Sequence, residues 1–70
     1  MTNTALLKDK IRNSGLKQAF IAEKIGISRA SLNDKIHNRS EFKQSEIDAI
    51  SVVLKLTAKE QMQIFFYKTR

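Results

Sequence analysis

Seventy residues allow one small domain, near the size at which a single apolar core is barely sufficient. With no cysteine and one histidine, His37, the chain has neither disulfides nor the ligands for a Cys- or His-rich metal site, so no cofactor is expected and packed side chains must hold it together. The net charge of +6 is uneven: residues 1–40 carry eight Lys/Arg against three acids, and residues 41–70 five against four. That imbalance suits one face to a polyanion, although a merely soluble basic surface reads the same way.

The absence of proline and of sustained period-2 alternation predicts an all-α chain with short connections. A first helix is expected from about Thr4 to Asn13, with Leu7 and Ile11 on one face, Lys8 and Arg12 on its flank, and Asn13-Ser14-Gly15 as its stop. A second helix, from about Lys17 to Ile25, has Phe20, Ile21 and Ile25 as its apolar stripe with small Ala22 beside them, and Gly26 ends it. Ser28 is a good N-cap for a third helix reaching Ile36 or His37, with Leu32 and Ile36 inward and His37 as a C-terminal cap. The fourth, from about Gln44 to Leu54, turns Ile47, Ile50, Val53 and Leu54 to the core. Thr57-Ala58-Lys59-Glu60 fits a capping box for a fifth helix carrying Met62, Phe65 and Phe66.

Helices this short are unstable alone, so they are expected to pack as a compact five-helix bundle, one domain over residues 1–70. "MTNTALLKDK" lacks the basic-then-apolar order of a signal peptide, and no apolar run approaches the roughly 20 residues of a membrane span, so a cytoplasmic protein is expected. No nucleophile–base–orienter set can be built around one histidine, and the carboxylates read as scattered over exposed helical faces. An enzyme is not expected.

Between the second and third helices the connection is only Gly26-Ile27-Ser28. Glycine permits a left-handed turn, Ile27 can plug the angle between the helices, and Ala22 permits close approach of their backbones. Together these residues describe a helix-turn-helix over about residues 17–37, with the third helix standing out from the body.

At this point "GLKQAFIAEKIGISRASLNDKIHNR" resembles the helix-turn-helix of the Cro/C1-type repressors of temperate phages and their bacterial relatives. Gln18, Ala22, Gly26, Ser28, Ser31, Leu32 and Ile36 sit where that pattern wants them, and the flanking helices suit the same lambda-repressor-like body. The whole chain is similar to small Cro-position regulators of temperate phages, modulators of repression among them. The resemblance implies that the third helix enters the major groove of a DNA operator. Ser28, Arg29, Ala30, Asn33 and Asp34 would then face base edges, with Arg29 suited to guanine, Asn33 to adenine and Ala30 to a thymine methyl. Gln18 matches a phosphate-contacting position, or merely caps the second helix without a partner; Ser31 reaches a phosphate or caps its own helix. Lys17, Lys35, Asn38 and Arg39 are further phosphate candidates, with Asn38 as the left-handed residue where the family usually has glycine.

Two features depart from the family. Asp34 puts a negative charge on the DNA face, and 70 residues leave no room for the separate oligomerisation domain of full-length repressors. A dimer contact is therefore expected at the C-terminal "IFFY", through Phe65, Phe66 and Tyr67, unless the phenylalanines close the chain's own core; one inside and one outside is the expectation.

Two functions follow from this reading. One is a transcriptional regulator of a phage-type lysis/lysogeny switch, binding a palindromic operator as a dimer with half-sites about one helical turn (~34 Å) apart. The other is an antirepressor or co-repressor that uses Gln18, Arg29, Asn33, Asp34 and Lys35 to grip the N-terminal domain of a phage repressor. The motive for the second is Asp34, which offsets the charge of Arg29 and Lys35.

Overall fold

The computed structural model describes residues 1–66; Tyr67, part of the expected dimer contact, lies outside them. Among the described residues there are five helices and no strand: α1 (Thr4–Ser14), α2 (Gln18–Ile25), α3 (Arg29–Ile36), α4 (Gln44–Val53) and α5 (Ala58–Phe65). None is long and apolar enough to cross a membrane.

Each helix delivers one fully buried aliphatic side chain to a common centre: Leu7, Ile21, Leu32, Ile50 and Ile64. Ala22, Ile36, Ile47 and Phe65 complete the core, and half-buried Ile11, Ile25, Ile27, Val53 and Leu54 pack around it. α2 lies between α3 and α4, while α1 packs on α3 and α5. The ring of Phe42, in the α3–α4 connection, meets Phe65 edge-on at 5.2 Å. The interior is therefore small, and every helix depends on it.

Caps set the ends. Asn3 accepts the Leu6 N–H and Ser28 the Ser31 N–H, while Thr57 and Glu60 form the reciprocal capping box expected of them. Gly15 and Gly26 end α1 and α2 in the left-handed conformation. Asn38 takes the same conformation after α3, as expected, and so does Lys55 after α4, which was not foreseen. In both places the two hydrogen bonds of a Schellman closure are made. Arg39 N donates to Asp34 O and Asn38 N to Lys35 O; Leu56 N donates to Ser51 O and Lys55 N to Val52 O.

Two expectations about burial are corrected. Phe20 is not in the apolar stripe of α2 but 42% exposed, under the Lys24 ammonium at 5.4 Å from its ring centroid. The close approach of α2 to its neighbours is made through Ile21 and Ala22, which rotates Phe20 to the rim. Nor are all carboxylates on exposed faces, because Glu46 is buried. The two adjacent phenylalanines divide as expected, Phe65 inside and Phe66 43% exposed. This removes Phe65 from the expected dimer contact, since its ring is spent on the core.

Candidate functional site

The α2–α3 corner is built by the residues the sequence singled out. Gly26, at φ +83°, donates its N–H to the carbonyls of Ala22 and Glu23, and Ile27 N donates to Ala22 O. Ile27 itself is half-buried against the core. Ser28 then caps α3, accepting the Ser31 N–H at 3.0 Å. The three residues at this start, Ser28, Arg29 and Ala30, are consecutive and exposed. Leu32 and Ile36 bury the opposite face of the helix, and this pins the exposed side outward.

Ser31, Asn33 and Asp34 are half-buried along the same helix. The Asn33 carbonyl lies 2.8 Å from His37 Nδ1, so the imidazole caps α3 from its end as expected. On α2, Lys17 is exposed and Gln18 half-buried as the first helical residue; Lys17, not Gln18, stands at the cap position, and its side chain makes no cap bond. Ser31 does not cap its own helix, since Ser28 holds the cap position. Its N–H is capped by Ser28, and its own hydroxyl plays no part in that bond.

Three of the expected contact residues are engaged elsewhere. Lys35 is 8% exposed and points into the protein. Its ammonium donates to Glu41 O at 3.0 Å and lies 3.3 Å from the Glu46 carboxylate. It cannot serve as a phosphate contact, nor as a partner contact, without leaving that pair. The reason is periodicity: Lys35 stands three residues after Leu32 and next to Ile36, on the flank of the inward stripe. Asn38 is exposed as a residue, but its side chain clamps the N-terminal segment. Its Oδ1 accepts Thr2 N at 3.0 Å, and its Nδ2 donates to Thr2 O at 2.8 Å and Thr4 Oγ1 at 3.1 Å. This amide stands in for a peptide and is not free for phosphate. Asp34 is paired as well, since Arg39 Nη1 donates to its carboxylate at 3.1 Å.

The electrostatics of α3 follow from these pairings. Burial pushes the Glu46 carboxyl up, but the Lys43 backbone N–H and the Lys35 ammonium outweigh it and hold the group below its ordinary value. Lys35 and Arg39 each have an acidic partner, whereas among the described residues Arg29 has none. The face of α3 thus carries one unpaired guanidinium at its N-terminal end and an ion pair at its C-terminal end.

The residues that the sequence reading missed are those that tie elements together: Glu46 to Lys35, and Thr2 to Asn38. A glutamate at the third position of α4, beside Ile47, was the available signal for the first. Nothing local signals the second, which joins residues 36 apart. No family model, curated protein or solved structure matches the chain.

Proposed function

We propose that the chain is a DNA-binding transcriptional regulator of the Cro/C1 type, acting in a phage-type lysis/lysogeny switch, with α2 and α3 as its helix-turn-helix. The observation that carries this reading is the exposed first turn of α3. Ser28, Arg29 and Ala30 stand outward together on a helix anchored by Leu32 and Ile36, with Arg29 unpaired among the described residues. A guanidinium in that position can donate two hydrogen bonds to a guanine in the major groove, with Asn33 one turn further along for adenine. Lys17, Gln18, Ser31 and Arg39 then hold phosphates on either side. Asp34 is not a bare negative charge on this face, because Arg39 neutralises it. Dimerisation would draw on the C-terminal end, where Met62 of α5 and Phe66 just after it are 59% and 43% exposed.

The test is a binding series with Arg29→Ala against operators changed one base pair at a time. A loss of about 1–3 kcal/mol confined to one base position is expected. An equal loss on every sequence would remove Arg29 from base reading.

A second reading is favoured by the same pairings. With Lys35 withdrawn and Arg39 neutralised, α3 is less basic than its sequence, which suits a surface that meets the DNA-reading face of a phage repressor. In this reading the chain is an antirepressor or co-repressor gripping its partner through Gln18, Arg29, Asn33 and Asp34. Asp34→Lys separates the two: it should tighten DNA binding in the first and abolish partner binding in the second.

A further inference from the structure

The segment between α3 and α4, residues 37–43, is held from inside at several points. Asn38 is clamped to Thr2, the Phe42 ring rests on Phe65, and Lys43 N donates to the Glu46 carboxylate at 2.8 Å. The Lys35 ammonium lies at the centre of this arrangement. From the last turn of α3 it reaches the Glu41 carbonyl in the middle of the segment and the Glu46 carboxylate in the first turn of α4. Only a long cationic side chain can satisfy a carbonyl and a carboxylate at once there. The charges of a buried ion pair are often matched in stability by apolar residues of the same volume, so the charge of the lysine is not accounted for by stability alone.

The segment exposes Asn38, Arg39, Ser40, Glu41 and Lys43, and of its two exposed cations Arg39 is the one held against α3. Its backbone N–H bonds Asp34 O at 2.8 Å, and its side chain uses one terminal nitrogen on the Asp34 carboxylate. The remaining guanidinium N–H groups are left for an anion. Resting on the reading of α3 as a DNA-facing helix, we infer that Lys35 is a positioning residue. Its buried ammonium fixes the segment that holds Arg39 beside α3, so that Arg39 meets a phosphate of the bound duplex while Lys35 itself touches none.

The experiment compares the wild type with Lys35→Met, Arg39→Ala and the double variant. One readout is backbone amide hydrogen exchange of the free protein. The other is the salt dependence of anisotropy-detected binding to a short duplex taken from upstream of the gene. Because Lys35→Met also leaves Glu46 without its cation, exchange is expected to rise throughout, and to rise further in residues 38–43 than in the amides of α1. Lys35→Met should lower the log–log salt slope by about 0.9, the value of one phosphate contact, as should Arg39→Ala. The double variant should lose no more than either single one.

Additive losses in the double variant, a wild-type salt slope in Lys35→Met, or exchange in residues 38–43 that rises no further than in α1 would each overturn the inference. If Lys35→Met does not fold, Glu46→Gln keeps an acceptor for the Lys43 N–H, loosens the pair, and is held to the same readouts. If the wild type binds no duplex, the DNA reading fails and the phosphate role of Arg39 with it. Exchange in residues 38–43 would then decide separately whether Lys35 holds the segment.

Discussion

A lysine on the flank of an apolar stripe belongs either to solvent or to the core, and Lys35 belongs to the core. Truncation to Lys35→Ala would leave Glu46 buried without its cation, at a cost of about 3–5 kcal/mol in urea unfolding. Replacing both partners, Lys35→Met with Glu46→Leu, is expected to cost far less or to stabilise. A double variant as unstable as Lys35→Ala would show that the pair's hydrogen bonds matter more than its charges. The same carboxylate predicts a pH dependence. The Glu46 carboxyl is held below its ordinary value of 4.5, and Glu60 is lowered too, by its bond to Lys10 and by the Thr57 N–H. The unfolded chain therefore binds these protons more readily, so the stabilisation is complete above pH 4.5 and is lost as pH falls through the depressed values. Thermal unfolding across pH 6 to 2 should show the loss, and Glu46→Gln should make it shallower. The exposed residues at the start of α3 were legible from the motif, because a Ser cap and the Leu32 and Ile36 stripe dictate which side faces out. The fates of Lys35, Asn38 and Asp34 were not, since each depends on a partner in another turn or another element.

The helices were legible almost to the residue, because most of their ends are set by residues with local physical effects. Asn3, Ser28 and Thr57 start helices, and Gly15 and Gly26 stop them. Phe20 was misplaced because periodicity admits either flank of the Ile21 and Ile25 line, and only the neighbouring helices choose the Ala22 side. The left-handed residue after α4 was invisible for another reason: Lys55 occupies a position that glycine normally announces. Lys55→Gly should therefore stabilise the protein by ~1 kcal/mol, read as a higher midpoint in urea, because it removes the left-handed strain while keeping both closing bonds. The converse holds at the α2–α3 corner. A Cβ on Gly26 would meet nothing within 4 Å, so the penalty of Gly26→Ala is backbone strain alone, again ~1–2 kcal/mol. A larger loss would mean that the angle between α2 and α3 had changed, and DNA binding would then fall with it.

At the scale of the whole molecule, a shared centre built from one aliphatic residue per helix leaves α3 free to turn one side outward. The basic half of the chain holds α2 and α3, yet Asp34 and Glu46 each pair with a cation there. Any DNA complex would thus depend on few uncompensated charges, and affinity for a single half-site would be modest without a second copy. The exposed Met62 of α5 and Phe66 just after it offer a surface for that copy, and Phe66→Ala should then weaken operator binding while leaving the base preference intact. The most direct test of the account is fluorescence-anisotropy binding of the wild-type protein to the DNA upstream of its own gene, at two salt concentrations. Saturable binding that discriminates this DNA from a scrambled duplex, and weakens steeply as salt rises, is the predicted result. The result that would contradict it is a protein that alone binds neither duplex, yet alters the operator binding of a phage repressor's N-terminal domain added to the mixture.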